Sequence, residues 1–522
     1  MLSILCYSIA MVTCDGRFPA LEYEVEHKLC TVSPAYADGT YLKFNGPLYF
    51  RKGLEKLFSF LETRVIAKNV VGWISGPPGS GKSTSSFAFA MTIDRSTWEV
   101  SYLCCSMIGA SSFVHFKEDK KSKVLLTNAK DLDNILTHLS LQLKLSQRKH
   151  ILFADGVCIS KSTSQVVVEL LRVCTIWYQN DTDHRRLVFI SSMAGRSNFQ
   201  TNFQEIEMEK FTLFSWTLDE YRSAIAVNGV WESIKDNAMA DCHIYSSTST
   251  ADKAPTKDDL LVSKYHFAGG SCRFMFQKST EQVILSIYDA IDKVSHFQSY
   301  AENNIGDCSV GVVNYLYGRY EGQESVIISA FALASIAIKR GPQLIKQIID
   351  ITNAKNNPSL HGQLLKCWFF LSIRNGGIDL LDRNNNQTEH WDQCTAFIDL
   401  DPNTVILSPE PAWYRPIRWC QEGYDAVYVD PKKNLTRFVQ VTKASSHSFN
   451  ICYFYNLLQH FSEQNETKTL DICFLTPVDE MQNFKITPVY GEGLLHAFAG
   501  WKKGCEIQSA RVLGAKDFRS FC

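Results

Sequence analysis

A glycine-rich segment, Gly76–Ser83, constrains the fold of this chain more than any other part of it. Its sequence, GPPGSGKS, fits the pattern G-x-x-x-x-G-K-[ST] at every fixed position. Glycines let backbone N–H groups turn inward around an anion, and the N-terminus of a following helix adds positive charge there. The segment therefore predicts a loop, containing Gly76, Gly79 and Gly81, that binds the phosphates of a nucleotide.

The residues that end this loop predict how a nucleoside triphosphate, ATP or GTP, would bind. Lys82 is expected to reach the β and γ phosphates, and the Ser83 hydroxyl to bind Mg²⁺. The later segment HILFAD has four apolar residues that end at Asp155. Such a strand would bring Asp155 beside the loop, where it would also hold Mg²⁺, usually through water. The alternative is an aspartate that only ends a strand before a turn at Gly156.

The hydrolytic part of this predicted site is incomplete. ATPases of this arrangement usually have Glu directly after the aspartate to polarise the attacking water, and this chain has Gly156 there. Hydrolysis is therefore expected to be slow, or to use a residue from elsewhere. Ser191 and Ser192 end the next apolar strand and are candidates for sensing the γ-phosphate. Arg196 or Arg273 could stabilise its charge, and we predict that Arg273 contacts the nucleotide.

Strand-like and helix-like segments alternate around the loop, which predicts a mostly parallel sheet covered by helices on both faces. A whole strand and a helix separate the loop from the HILFAD segment. That separation resembles P-loop proteins with an added central strand, which include the AAA+ and STAND ATPases. The predicted elements are strands at Val70–Ser75, Trp98–Cys105, His150–Ala154 and Arg186–Ser192, and helices at Tyr49–Lys68, Lys82–Thr92, Leu132–Leu145 and Gln165–Tyr178.

The length of 522 residues predicts several domains, because one core rarely extends over so long a chain. We predict an α/β multidomain protein with a small N-terminal segment at 1–40, a P-loop domain at 41–215, a helical domain at 216–345 and a second α/β domain at 346–522. A winged helix is one candidate form for the helical domain. The segments behind these assignments are helices at Leu218–Val227 and Glu281–His296 and strands at Ala426–Val429, Arg437–Thr442 and Asp471–Leu475.

Composition limits the partners and the compartment. The formal net charge is −1, so any contact with nucleic acid must come from a local basic patch. The 17 cysteines contain no C-x-x-C pair, which is typical of reduced thiols in a reducing compartment. The apolar start, Met1–Cys14, has no basic residue and is too short to span a bilayer as a helix. We expect an intracellular protein without a transmembrane segment, and export stays open.

Three stretches outside the loop resemble Crinkler effectors and the related retrotransposon hot spot proteins. They are Asp155-Gly-Val, Phe214–Tyr221 and Lys264–Phe274, and the most specific string is YHFAGGSCR at Tyr265–Arg273. The resemblance covers about residues 40–520. It implies an NTPase module followed by a restriction-endonuclease-like module that acts on DNA in a host nucleus. The usual Crinkler leader string is not in the N-terminal segment, which could instead open a ubiquitin-like fold.

The resemblance also implies residues for the C-terminal module. Nucleases of the PD-(D/E)XK type hold Mg²⁺ with an aspartate and an acidic or amide residue, and a nearby lysine helps to activate water. Asp425 and Gln440 take the first two places, so Asp425 is the predicted metal ligand. Lys443 is one position beyond the expected lysine and would face the other way on a regular strand. Lys366 stands where the family usually has a glutamate in a helix.

Basic and aromatic residues are interleaved near these positions. The mixture suits phosphate contacts and base stacking on DNA, and a solvated charged face beside core aromatics gives the same pattern. The residues are Arg415, Arg418, Lys432, Lys433, Arg437, Lys443, Trp413, Tyr414 and Trp419.

Two hypotheses follow. In the first, NTP binding or hydrolysis controls a nuclease that acts on DNA, with Asp425, Gln440 and Lys443 as its catalytic group. In the second, the NTPase module is a switch, and the C-terminal domain holds DNA or a host nuclear protein without cutting. Gly156 and Lys366 favour the second. A homo-oligomer is compatible with both.

Overall fold

The structure is a computed structural model of the chain. It describes residues 11–12, 22–24, 29–32, 34–42, 48–106, 110–118, 120–157, 165–192, 206–242, 255–293, 313–322, 325–340, 358–384, 388–400, 405–416, 423–462, 464 and 466–516. The chain forms two compact units. The first contains Met1–Ala240 and Ala268–Ile328, and the second contains Asp241–Phe267 and Ser329–Cys522.

The first unit is built from short strands and helices that alternate. Its strands are β1 (Met11–Val12), β2 (Glu22–Glu24), β3 (Leu29–Thr31), β4 (Leu48–Tyr49), β5 (Val71–Ser75), β6 (Trp98–Cys104), β7 (Ser111–Lys117), β8 (Lys120–Leu126), β9 (Lys149–Val157), β10 (Arg185–Ser191), β11 (Met208–Thr212), β12 (Tyr317–Arg319) and β13 (Ser325–Ile327). Its helices are Pro34–Ala37, Lys52–Phe60, Lys82–Thr92, Ala129–Ser146, Gln165–Gln179, Leu218–Ile225, Asn228–Ile234, Cys272–Gln277 and Thr280–Lys293, with a π-helical turn at Leu61–Ile66 and a 3₁₀ turn at Val313–Leu316.

The main sheet of this unit has the strand order β1-β8-β7-β6-β9-β10-β5-β11. The strands from β6 through β9, β10 and β5 to β11 are parallel, and β7, β8 and β1 continue the sheet in antiparallel fashion. Strand β10 lies between β5, which leads into the glycine loop, and β9, which carries Asp155. The unit therefore has the predicted parallel sheet with an added central strand.

Both faces of the parallel strands are buried, as the alternation of strands and helices predicted. Ile151 and Phe153 of β9 pack into one hydrophobic cluster, and Leu152 and Ala154 pack into another. Successive side chains of a strand point to opposite faces, so each strand contributes to two cores. This double burial explains why the strands read as continuous apolar runs in the sequence.

The helices begin and end where local chemistry favours it. Asn128 Oδ1 accepts a hydrogen bond of 3.1 Å from the Asp131 amide and caps the helix that follows. Thr217 and Glu220 form a reciprocal capping box at the start of the helix Leu218–Ile225. The helix predicted at Tyr49–Lys68 is shorter and continues as the π-helical turn. The hairpin of β7 and β8 was not predicted.

The residues of the predicted helical domain, 216–345, are divided between the two units, with 216–240 and 268–328 in the first. The described parts of 216–345 form helices, as predicted, and also the two-stranded antiparallel hairpin of β12 and β13. The winged-helix form and the boundaries at 40, 215 and 345 stay predictions. Most of the predicted N-terminal segment, and the polar stretch 246–254, lie outside the described residues.

The second unit has its own mixed sheet. Its strands are β14 (Ile378–Asp382), β15 (Thr388–Trp391), β16 (Phe397–Leu400), β17 (Ala412–Pro416), β18 (Ala426–Asp430), β19 (Leu435–Val441), β20 (Ser446–Asn450), β21 (Thr469–Pro477), β22 (Lys485–Tyr490) and β23 (Arg511–Ala515). Its helices are Lys257–Ala268, whose last residue falls in the first unit, Ala330–Arg340, Pro358–Arg374, Ile451–Ser462 and Glu506–Ser509.

Strands β17, β18 and β19 form an antiparallel meander, and β21 then pairs in parallel with β19. The helix Ile451–Ser462 lies between β19 and β21 in the chain. Trp413 and Tyr414 are adjacent on β17 and point to opposite faces. Trp413 meets Phe369 of the helix Pro358–Arg374 at 5.3 Å between ring centroids, and Tyr414 meets Phe461 at 6.2 Å. The meander is thus covered by one helix on each face.

Among the helices in the described part of the chain, none combines the length and apolarity needed to cross a membrane.

Candidate functional site

The glycine loop connects β5 to the helix Lys82–Thr92. Gly79 and Gly81 have φ of 73° and 96°, in the left-handed region that favours glycine. A Cβ atom on Gly79 would overlap Ser271 Oγ, and one on Gly76 would overlap the backbone oxygen of Leu213. The pattern leaves position 79 free to be any residue, but the packing of Ser271 against the loop requires glycine there.

The structure brings Ser83 and Asp155 together at the carboxyl edge of the parallel strands. Ser83 Oγ donates a hydrogen bond of 3.0 Å to Asp155 Oδ1. Lys82 Nζ donates to the loop's own carbonyl oxygens, at 2.8 Å to Gly76 and 2.9 Å to Pro77. The Ser83 hydroxyl of the loop motif is therefore in contact with the Asp155 carboxylate of β9, and the Lys82 ammonium lies against the loop itself.

Asp155 is buried and receives several hydrogen bonds. Tyr102 Oη donates to Asp155 Oδ2 at 2.8 Å, and the Gly156 amide donates to Oδ1 at 2.7 Å. Burial raises the pKa of the Asp155 carboxyl, and the hydrogen bonds from Tyr41, Tyr102, Ser83 and Gly156 act against that rise.

The string Tyr265–Arg273 ends directly against the loop. The Cys272 amide donates a hydrogen bond of 2.8 Å to the Gly79 oxygen, which fixes Ser271 in its position beside that glycine. Burial lowers the pKa of Lys82 to about 8; the charge of Asp155 opposes this change, and the nearby Arg273 guanidinium adds to it. The predicted nucleotide residue Arg273 is therefore close enough to Lys82 for the two cations to repel.

Arg51 was missed by the sequence analysis, and it is a central contact of the loop. Its side chain is buried, and Nη2 donates to the Ser80 oxygen at 3.0 Å and to the Phe214 oxygen at 2.7 Å. Nη1 forms an ion pair of 3.1 Å with Glu220. The guanidinium also lies 4.8 Å from the ring centroid of Trp216. Partners so distant in the sequence give no local signal.

The remaining residues of the predicted site fall as follows. Gly156 has φ of 80°, and a Cβ there would lie 2.6 Å from the Cys105 oxygen. Ser191 ends β10, next to β5 and β9, and the Ser192 hydroxyl beside it is buried without a hydrogen-bond partner. The Ser80 hydroxyl in the loop is likewise buried and unpartnered. Arg196 lies outside the described residues.

In the second unit, the structure brings Asp425, Gln440 and Lys366 together. Lys366 Nζ lies 2.6 Å from Asp425 Oδ1. Asp425 Oδ2 accepts hydrogen bonds from Gln440 Nε2 at 2.8 Å and from the Val441 amide at 2.7 Å. Lys443 follows the end of β19 at Val441 by two residues, so the strand alternation that was expected to turn it away does not extend to it. The role of Asp425 toward a metal stays a prediction.

The basic and aromatic residues near this group have ordinary structural partners. Trp413 and Tyr414 are buried in the core, which contradicts base stacking for these two side chains and agrees with the alternative stated for them. Arg418 and Trp419 lie outside the described residues. Acidic partners are found for four of the basic side chains: Arg415 with Asp399, Lys432 with Glu410, Lys433 with Asp430, and Arg437 with Asp471.

No protein-family model and no curated protein matches this chain. Solved structures with some likeness include PCH-2 of C. elegans, with 12% identity over 50% of this chain and 64% of that chain, at a TM-score of 0.26. The Drosophila ORC bound to DNA matches at 13% identity over 65% and 83%, at a TM-score of 0.21. Cdc6p from Pyrobaculum aerophilum matches at 11% over 62% and 99%, at a TM-score of 0.23.

The chain thus spans less than two thirds of the PCH-2 chain. Each of these solved structures is at most 13% identical to this chain. The class of the first unit rests on its own geometry instead. A parallel sheet with a central strand between the loop strand and the aspartate strand, and a glycine loop leading into a helix, define a P-loop NTPase fold.

Proposed function

We propose that the chain is a nucleotide-dependent switch that binds ATP or GTP with Mg²⁺ and hydrolyses it slowly. The observation that carries this proposal is the 3.0 Å hydrogen bond between Ser83 and Asp155 beside the glycine loop. A hydroxyl and a carboxylate in this arrangement suit Mg²⁺, which neutralises phosphate charge when it is bound. Two buried hydroxyls without a hydrogen-bond partner, Ser80 in the loop and Ser192 directly after β10, are further groups that could bind a polar ligand.

Slow hydrolysis follows from the backbone at residue 156. The left-handed conformation of Gly156 and the nearby Cys105 oxygen leave no room for a side chain that could polarise water. Ser192, with its buried hydroxyl at the end of β10, is our candidate for sensing the γ-phosphate. A site that binds tightly and turns over slowly stays in one state for long periods, as a switch requires.

The state of the nucleotide would be transmitted within the first unit through Ser271–Arg273. Lys82 now donates to two loop carbonyls, and phosphate oxygens would compete for those N–H groups. The positive charges of Lys82 and Arg273 repel each other, and a phosphate bound between them would attract both side chains. Because Ser271 is packed against Gly79, a shift of the loop must move this segment as well.

For the output of the switch, we propose DNA binding by the C-terminal unit without cleavage. Support comes from the Lys366–Asp425 ion pair, which occupies the carboxylate that a nuclease would give to a metal. The resemblance of Tyr265–Arg273 to Crinkler effectors supports an effector that works inside cells, in the nucleus, and in a host nucleus if it is exported. A host nuclear protein as the partner, or assembly into a homo-oligomer, would be alternative outcomes.

A second candidate function is an NTP-controlled, Mg²⁺-dependent DNA nuclease, with Asp425, Gln440 and Lys443 as catalytic residues. It is favoured by one observation, the meander β17-β18-β19 that continues through a helix to the parallel strand β21. This topology brings Asp425, directly before β18, within hydrogen-bond distance of Gln440 on β19.

Nucleotide binding is tested by calorimetric titration of the full chain with ATP or GTP and Mg²⁺. We expect Lys82→Ala to abolish binding, because the Lys82 ammonium is the loop's own countercharge to the phosphates. Ser83→Ala should remove the Mg²⁺ dependence. Lys130→Ala, at an exposed position on another helix, is the matched control and should bind like the wild type. Unchanged affinity in Lys82→Ala would refute the assignment of the loop.

The two outputs are separated by a plasmid assay with Mg²⁺ and ATP, run beside Asp425→Ala and Lys82→Ala. DNA that is bound but uncut supports the switch. Mg²⁺-dependent cleavage that is lost in Asp425→Ala establishes the nuclease, and Lys82→Ala then measures its control by nucleotide. A chain that neither binds nor cuts DNA directs the search to a protein partner.

A further inference from the structure

The Asp425 centre in the second unit already contains a cation. One oxygen of the carboxylate lies 2.6 Å from the Lys366 ammonium, and the other accepts two N–H groups, from Gln440 and the Val441 backbone. Both oxygens are therefore occupied by donors. The Asp425 side chain is only 6% exposed, so the negative charge is balanced inside the protein by Lys366 and by these hydrogen bonds.

Two groups of this centre, Lys366 Nζ and Gln440 Oε1, can form further hydrogen bonds. An ammonium group has three N–H donors, and Lys366 is 24% exposed, so it can donate to an anion from outside while it stays on Asp425. Gln440 Oε1 is a buried acceptor without a hydrogen-bond partner. His266 lies close to Lys366; its burial, together with the charge of Lys366, lowers the pKa of His266 to about 3. The histidine is therefore neutral at physiological pH, and Lys366 supplies the positive charge.

We infer that Lys366 is the resident cation of the Asp425 centre, and that it bridges this carboxylate to a phosphate oxygen of DNA without any metal. A metal in such a centre would do the same work, with a carboxylate on one side and a phosphate on the other. Mg²⁺ needs carboxylate oxygens at about 2.0–2.1 Å with open space around them. The ammonium on Asp425 Oδ1 excludes that arrangement. The inference rests on the DNA binding proposed above.

A single substitution separates the resident-cation centre from a metal centre. Lys366→Glu removes the ammonium and adds a carboxylate beside Asp425, with the unpartnered Gln440 Oε1 as a further oxygen. Oxygen donors of this kind bind Mg²⁺ and Mn²⁺. The variant should therefore lose DNA affinity in EDTA, because two carboxylates repel phosphate, and should recover it when Mn²⁺ takes the place of the ammonium.

The experiment measures binding of a short labelled DNA duplex to the full chain, in EDTA and with Mn²⁺, over a series of salt concentrations. For the wild type we expect equal affinity in EDTA and Mn²⁺, apart from screening. Lys366→Met should lower the slope of log affinity against log salt by about 1, as loss of one phosphate contact does. Lys366→Glu should bind only with Mn²⁺. Lys485→Glu, the same charge change at an exposed lysine of β22, controls for general electrostatics and should gain nothing from Mn²⁺.

A second measurement keeps the inference testable if DNA is not the partner. Mn²⁺ titration followed by electron paramagnetic resonance, without DNA or nucleotide, should show one more bound ion in Lys366→Glu than in the wild type. Melting of Lys366→Glu should also shift upward with Mn²⁺, which confirms that the variant is folded. If this holds while the wild type binds no DNA, the proposed DNA output fails and the resident-cation assignment stands.

The inference is overturned if the wild type binds Mn²⁺ in a manner that Asp425→Asn abolishes, since the centre would then hold a metal despite Lys366. It is also overturned if Lys366→Glu folds but binds no Mn²⁺. Equal salt slopes for wild type and Lys366→Met, with DNA bound by both, would show that Lys366 contacts no phosphate.

Discussion

Replacing Gly79 by alanine tests the contact between the loop and the Ser271 segment. In the loop pattern this position accepts any residue, so motif matching alone expects little effect. The structure expects a large one, because Gly79 has φ of 73° and an added Cβ would overlap Ser271 Oγ. The substitution therefore distinguishes a loop that acts alone from a loop that is packed against its neighbour.

The expected loss of nucleotide affinity has two causes, the backbone strain at residue 79 and the overlap with Ser271. A non-glycine residue in the left-handed region costs about 1–2 kcal/mol. If that strain falls on the conformation that binds nucleotide, affinity drops by about 5- to 30-fold, since 1.4 kcal/mol corresponds to tenfold. The overlap with Ser271 adds to this. Ser271→Gly removes the overlapping Oγ and leaves its Cα 3.2 Å from the new methyl group, so it should restore part of the loss.

The assay is a fluorescent-nucleotide titration of wild type, both single variants and the double variant. Ser271 caps the helix Cys272–Gln277, where its side chain accepts a hydrogen bond from the Phe274 amide. Because glycine costs an N-cap only a few tenths of a kcal/mol, Ser271→Gly alone should change affinity little. The double variant should bind more tightly than Gly79→Ala. Gly322→Ala is the matched control, because Gly322 has φ of 75° with open space around it. It should cost stability but leave nucleotide affinity unchanged.

Additive effects of Gly79→Ala and Ser271→Gly would refute the reasoning, since two residues that overlap must couple. Wild-type affinity in Gly79→Ala would refute it as well.

Three further predictions concern the same unit. Gly156→Glu should lower the melting temperature and should not accelerate phosphate release, because residue 156 has φ of 80° and lies beside the Cys105 oxygen. Faster hydrolysis in this variant would show that only the missing carboxylate limits turnover. Burial lowers the pKa of His150 well below its ordinary value, so below pH about 6.5 only the unfolded chain takes up this proton. The free energy of unfolding should therefore fall by up to about 1.4 kcal/mol for each pH unit below that point, and this slope should flatten in His150→Gln. Arg51→Ala should cost about 3 kcal/mol in unfolding experiments, and Arg51→Lys should not rescue it, because one ammonium cannot replace a planar guanidinium at Ser80, Phe214 and Glu220; full rescue by lysine would contradict this.

The sequence predicted the elements around the loop to within a few residues. The helix Lys82–Thr92 has the predicted bounds, and each end of the strands β5, β6, β9 and β10 lies within three residues of its predicted position. The strands among these segments are buried on both faces, so their hydrophobic pattern in the sequence is strong. The hairpin of β7 and β8 was missed because β8, with the sequence KKSKVLL, is polar and half-exposed and shows no regular alternation.

In the candidate sites, too, residues in a local sequence pattern were predicted and residues that act through distant contacts were not. The loop motif and Asp155 are local patterns, and the sequence was sufficient to find them. Arg51 and Ser271 act through contacts with loop residues that are far away in the chain, and nothing in their neighbours indicates those contacts. Lys366 was noted as a substitution in a family pattern, but its ion pair with Asp425 depends on packing between a helix and a strand 59 residues later.

The path of the chain has a consequence for how the protein is made. Because Asp241–Phe267 belongs to the second unit, the chain passes between the units after Ala240, after Phe267 and after Ile328. During synthesis the segment Asp241–Phe267 leaves the ribosome before Ser329–Cys522, the rest of its unit, has been made. Phe267, for example, can form its ring contact with Phe331, at 5.0 Å between ring centroids, only after Phe331 has been added to the chain. Neither unit is a continuous stretch of sequence. A fragment that begins near residue 345 therefore lacks part of its own core, and no single cut in the backbone divides the chain into its two units.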